Sequence, residues 1–173
     1  VVGTAMTAAR RDHKHAMPAA PTRLISETTL GSNVTSFTIS GLDIVTHGNV
    51  YELVIAGAGS AGADPTIALN GDTTANYTGM VYGLSTSSTL QSTYTTGTIA
   101  SFRIDTFFFV DYTIIRKPTG EIAIMGHWVD TTGFDRTVVF TSTTQRTNIT
   151  SITFNTNGAV TMNSGTNIKI YKK

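Results

Sequence analysis

Two histidines, His13 and His15, flank Lys14 directly after Asp12. In an extended chain, residues two apart point to the same side. The two imidazoles therefore form a chelating pair, with the Asp12 carboxylate as a third ligand. Three chains around a threefold axis would supply six nitrogens, an octahedral set suited to iron, nickel or a related first-row ion. The same cluster, Arg10-Arg11-Asp12-His13, also carries the charges for ion pairs across an oligomer interface. A solvated arm whose histidines bind nothing is the third reading.

The acids Asp43, Asp64, Asp72, Asp105, Asp111, Glu121, Asp130 and Asp135 are candidates for the facing carboxylates that glycoside hydrolysis needs. Several stand where a turn favours Asp, as in Asn70-Gly71-Asp72 and Asp130-Thr131-Thr132-Gly133. His127 and Trp128, close to Asp130, bring a base and a stacking ring together. No Gly-x-Ser-x-Gly elbow marks a nucleophile, however, and Trp128 shares a strand face with Ile122 and Ile124, which reads as core. The spacing Gly57-x-Gly59-x-x-Gly62 matches a dinucleotide fingerprint, but Asp64-Pro65-Thr66-Ile67-Ala68-Leu69 follows it as a strand, not a helix. It reads as a loop between strands. The expectation is a protein without a catalytic residue and without a required cofactor, apart from the transition-metal ion His13 and His15 would hold. Tyr77, Tyr82, Tyr94 and the Ser/Thr-rich stretch 83–97, taken as a loop, are the candidate contacts for a receptor or glycan.

The elements that must carry these residues are strands. Val, Ile, Thr, Phe and Tyr recur in short runs cut by Gly, Asn and Asp. The pattern predicts strands near 22–30, 34–39, 50–57, 65–70, 78–83, 98–108, 109–116, 121–129, 136–142, 149–156 and 166–172. Between 122 and 129, Ile122, Ile124 and Trp128 alternate with Ala123, Met125, His127 and Val129. Ile152 and Phe154, and later Ile168 and Ile170, repeat the period of two. Phe107-Phe108-Phe109-Val110 breaks it and predicts burial on both faces, inside a sandwich or against a neighbouring subunit. Lys117-Pro118-Thr119-Gly120 predicts a hairpin across 113–126, and a second is expected at Asp130–Arg136. Strands at this spacing predict an all-β fold: a jelly-roll-like antiparallel β-sandwich over 22–173, preceded by an extended N-terminal arm over 1–21.

Composition narrows the function classes. Charged residues make up 13% of the 173, about half the usual share, and Thr, Ser, Asn and Gly take their place. Such a surface suits an extracellular or particle-bound protein. A net charge of +1 gives no electrostatic case for nucleic acid. Cysteine is absent, which excludes disulfides, Cys-based zinc sites and thiol catalysis. No run of 18 apolar residues exists, so membrane insertion is not expected. The sequence begins with Val and has no apolar signal core, as expected of a processed product or part of something longer.

Gly3-Thr4-Ala5-Met6-Thr7-Ala8-Ala9-Arg10-Arg11-Asp12-His13-Lys14-His15 resembles a segment found upstream of fibre or receptor-binding domains in structural proteins of tailed bacteriophages. Pro18 stands two residues later than in that pattern, and the match covers about a tenth of the chain. Further along, Gly41-Leu42-Asp43-Ile44, Val50-Tyr51-Glu52-Leu53-Val54-Ile55 and Ile67-Ala68-Leu69-Asn70-Gly71-Asp72 with Tyr77 resemble the C-terminal β domain of phage tail and head fibres. The closing Gly165-Thr166-Asn167-Ile168-Lys169-Ile170-Tyr171-Lys172 is similar to its last strand. The resemblance implies a non-enzymatic homotrimer on the virion surface, in contact with other tail or capsid proteins and with a host-surface glycan or protein. Arg10, Arg11 and Asp12 would lie in its attachment segment, and His13 and His15 on the trimer axis. A capsid decoration protein is the alternative within that class; a carbohydrate-binding protein or glycan-degrading enzyme, tested at Asp105 or Asp111, is the alternative outside it.

Overall fold

A computed structural model of the chain describes residues 23–60, 62, 64–74, 77–84, 90–97, 99–100, 103–131, 135–156, 158 and 160–173; for 84, 90–97 and 99–100 the description covers the backbone. The expected arm at 1–21, with Arg10, Arg11, Asp12, His13 and His15, lies outside the described residues.

Period-two patterning becomes twelve strands. They are β1 (Arg23–Thr29), β2 (Ser36–Ser40), β3 (Val50–Gly57), β4 (Thr66–Leu69), β5 (Tyr77–Leu84) and β6 (Leu90–Gly97). The second half adds β7 (Ile99–Ala100), β8 (Phe108–Arg116), β9 (Ile122–Asp130), β10 (Asp135–Ser142), β11 (Ser151–Asn155) and β12 (Asn167–Lys172). No helix occurs among the described residues. Every paired neighbour is antiparallel.

The strands form an eight-stranded sheet, β1-β12-β3-β8-β9-β10-β5-β6, and a four-stranded sheet, β2-β11-β4-β7. Between them lies one apolar cluster that takes Tyr51, Leu53, Phe108, Tyr112, Ile124 and Phe140 from the large sheet. The small sheet contributes Ile39, Ile67, Leu69, Ile152 and Phe154. The fold is therefore an all-β antiparallel sandwich. Its chain crosses repeatedly between layers. The four strands β1-β12-β3-β8 interleave in sequence with β2-β11-β4-β7, while β9-β10 and β5-β6 continue the large sheet.

The hairpin at 117–120 joins β8 to β9, closed by Lys117 N–H to the Glu121 carbonyl at 2.8 Å and Gly120 N–H to the Lys117 carbonyl at 2.9 Å. Ile122, Ile124 and Trp128 are buried as the alternation requires, and Met125 is exposed. Large rings need room in that layer. Tyr112 pairs across from Gly126, and Phe140 across from Gly79. A Cβ on Gly126 would meet the Tyr112 ring at 2.7 Å, and one on Gly79 the Phe140 ring at 2.4 Å. Each glycine supplies the space its cross-strand aromatic fills.

Three expectations are corrected. The stretch 83–97 is not one loop: β6 runs from 90 to 97, hydrogen-bonded to β5 at the sheet edge. A single strand over 98–108 is replaced by the two-residue β7 and, over 103–107, an irregular segment. Backbone bonds from Gly59 N–H to the Asp105 carbonyl and from Gly62 N–H to the Ile104 carbonyl tie that segment to the glycine-rich loop. The run 107–110 is not buried on both faces within the chain, because Phe108 and Val110 are buried but Phe107 is 47% exposed.

Candidate functional site

Register places the candidate residues. At one end of the large sheet the first residue of β1, Arg23, stands opposite Lys172, the last of β12. Lys172 in turn pairs with Tyr51 at the start of β3. A β-bulge between Leu24 and Ser26 sets this alignment. Ser26 pairs with Ile170, so unbroken pairing would bring Leu24 opposite Lys172; the extra residue, Ile25, advances Arg23 into that place instead. Strand β2 ends beside them at Ser40, and Gly41 turns the chain with φ of +74°, a conformation natural to glycine.

These pieces enclose a cavity of about 360 Å³ lined by Arg23, Leu24, Ile25, Gly41, His47 and Lys172. Its volume is near the lower end of small-molecule pockets, about 300–1,000 Å³. His47 is fixed from behind. The Asp43 backbone N–H donates to the Tyr51 hydroxyl oxygen at 2.8 Å, and that hydroxyl lies 2.9 Å from His47 Nδ1. Burial pushes the Tyr51 phenol up to about 12, so the hydroxyl stays neutral beside the ring. The contact leaves Nε2 as the ring nitrogen not engaged by Tyr51. Asp43 is held below the ordinary carboxylate range, first by the Thr46 side chain and then by the Thr46 backbone N–H, with Asn148 adding a further bond.

At the opposite end, Asp64 lies near Asp130, Arg103 and Arg136, with the Arg136 guanidinium 5.5 Å from the Trp128 ring centre. Desolvation raises the Asp64 carboxyl and Asp130 raises it further, while Arg103 and Arg136 oppose the shift. Most of the other candidate acids are already engaged. Asp72 pairs with Arg146, Asp135 with His127 at 2.7 Å, Glu121 with Lys117 at 3.1 Å, and Asp105 accepts the Thr106 N–H at 2.7 Å. Asp105 is buried, while Asp111 stands on the outer sheet face, opposite His127 in register. They are not a facing pair. His127 points outward and Trp128 inward, so the adjacent residues occupy different faces. Among the described residues no group of three or more His, Asp or Glu is placed to hold a metal ion.

The candidate tyrosines separate. Tyr77 is 2% exposed, its hydroxyl 3.5 Å from Arg146, so it is an interior residue of this chain. Burial also raises its phenol, which Arg146 opposes. Tyr82 is on the outer face, its hydroxyl donating to Met80 Sδ at 3.3 Å. Tyr94, on β6, pairs with Met80 of β5, and its side chain lies outside the described residues. Compared with known proteins, the chain matches no family model, no curated protein and no solved structure.

The outer face of the large sheet carries an aligned row, Met80-Val139-Met125-Thr113, across four strands. Met125 is 40% exposed and Val139 42%. A second row, Tyr82-Thr137-His127-Asp111, lies beside it. Sequence reasoning missed the Arg23–His47–Lys172 cavity, because His47 reads as part of a turn and the two cations sit at opposite ends of the chain. Two cations at strand ends give no signal until pairing is known.

Proposed function

We propose that this chain is a non-enzymatic structural protein of a tailed-bacteriophage virion: a homotrimeric tail-fibre or receptor-binding component displayed on the particle surface. The observation that carries this reading is the interleaved strand order. Without the β5-β6 and β9-β10 pairs, the sheets are β1-β12-β3-β8 and β2-β11-β4-β7, an order that resembles the jelly rolls of viral capsid and lectin domains. The fold alone carries no activity, so three further features support the reading. Asp43, Asp72, Asp105, Asp135 and Glu121 are committed to hydrogen bonds or ion pairs inside the chain. The aligned Met80, Val139 and Met125 offer an apolar strip for association between copies. The phage-like order of residues 3–15 adds the link to a virion.

The test combines mass and location. The purified chain is expected at three times 18.4 kDa, and Val139→Lys is expected to release monomers that keep the wild-type β-sheet circular dichroism spectrum. Antibody labelling of particles is expected at the tail. Labelling of the capsid would favour a decoration protein, and depolymerisation of a host polysaccharide that is lost in Asp105→Asn would replace the reading with an enzyme.

A further inference from the structure

We infer that the cavity between Arg23, His47 and Lys172 is an oxyanion site, taking the carboxylate of an acidic sugar or the phosphate of a small ester. The inference stands on these residues and not on the virion reading. Arg23 and Lys172 are direct cross-strand partners. Like charges in that relation repel, and neither side chain has an ion-pair partner among the described residues. The cations around them are placed differently: Lys169 is paired with Glu27 at 3.2 Å and Lys173 with Glu52 at 3.0 Å. The bulge in β1 creates this cation pair by advancing Arg23 one place, and such irregularities re-aim side chains at functional sites.

His47 adds a third nitrogen group. Its Nδ1 is occupied by the Tyr51 hydroxyl, which leaves Nε2 as the ring nitrogen open to a ligand. The carboxylates on neighbouring segments are already satisfied: Asp43 by Thr46 and Asn148, Glu52 by Lys173. The main chain of Lys173 also approaches Gly48, next to His47. Arg23, Lys172 and His47 thus line one cavity, with the apolar Leu24 and Ile25 and with Gly41 completing its wall. Charge-assisted bonds from such donors suit a carboxylate or phosphate, and the apolar wall suits the carbon frame that carries it.

The test is calorimetric titration of the full chain at neutral pH and constant ionic strength. Glucuronate and glycerol 1-phosphate are the anionic probes, with glucose and glycerol as uncharged controls. The carbon-bound protons of the His47 ring are followed by NMR. One anion is expected to bind while its uncharged control does not, and to move the His47 signals. Preference for glucuronate assigns a carboxylate ligand, and preference for glycerol 1-phosphate assigns a phosphate. Arg23→Gln and Lys172→Gln are each expected to weaken binding about tenfold, the scale of one charge-assisted hydrogen bond, with no change in melting temperature. The inference is overturned if neither anion binds more tightly than about 1 mM, if the uncharged controls bind equally, or if both glutamine variants keep wild-type affinity.

Discussion

Gly126→Ala is the sharpest test of the register that fixes the faces of the large sheet. Gly126 lies in β9 between Ile124 and Trp128, directly across from Tyr112 in β8. A Cβ there would lie 2.1 Å from the Asp111 carbonyl oxygen and 2.7 Å from the Tyr112 ring. The first contact is with backbone, so relief requires the β8–β9 pairing itself to shift. Overpacking of this kind costs about 1–3 kcal/mol, and a backbone contact belongs at the upper end. Alanine returns about 0.4–1 kcal/mol by restricting the unfolded chain. The net expectation is a loss of about 2 kcal/mol, or roughly 4–8 °C in melting temperature for a chain of this size. Gly31→Ala is the matched control, because its Cβ would meet nothing within 4 Å. It is expected to be neutral or slightly stabilising. Scanning calorimetry and urea unfolding of both variants measure the difference. A Gly126→Ala protein as stable as wild type would refute the register. Met125, His127 and Val129 would then have no fixed claim to the outer face, since a slip of one residue exchanges the two faces.

Two further outcomes follow from polar groups. The Asp43 carboxyl is lowered in the fold, by its bonds from Thr46 first, so its stabilisation is present above the unfolded value of 3.8 and lost as pH falls through the lower folded value. Asp64 is raised by desolvation, so the fold disfavours its charge, and stability declines as pH rises from 3.8 through the higher folded value. Melting temperatures across pH should therefore show Asp43→Asn below wild type and Asp64→Asn above it at pH 7, both differences closing in acid; the same sign for both would contradict this. Asn70 has φ of +56°, its Oδ1 accepts the Thr150 and Ser151 N–H groups at 2.7 and 3.2 Å, and its Nδ2 donates to the Asn148 carbonyl at 2.8 Å. Asn70→Ala is expected to cost about 2 kcal/mol in urea unfolding, with Asn70→Asp intermediate because it keeps the acceptor.

The strands that bury one face were legible because their period of two survives in the sequence. Ile122, Ile124 and Trp128, then Ile152 with Phe154, and Ile168 with Ile170, all fall inside as alternation requires. The hairpin at 117–120 was legible from its turn residues, and the antiparallel pairing of β9 with β10 agrees with the turn signal between them. Strand β6 was not, because Leu-Gln-Ser-Thr-Tyr-Thr-Thr-Gly has no apolar alternation; its Thr and Tyr content was the available signal, and backbone pairing with β5 decides the outcome. The turn at His47-Gly48-Asn49 was legible too, and Gly48 and Asn49 do take positive φ. What no local pattern could show was that this turn closes over Arg23 and Lys172. Those residues meet only through the order β1-β12-β3 and through one bulge. The chelating arrangement of His13 and His15 rests on the sequence alone, since both lie outside the described residues.

Assembly of copies through the outer face of the large sheet is tested most directly by solution mass. Light scattering of the wild-type chain and of Val139→Lys, at matched concentration, is predicted to give three times the 18.4 kDa chain mass for the first and one chain mass for the second. A single chain mass for the wild type, or a Val139→Lys protein that remains trimeric, would contradict it.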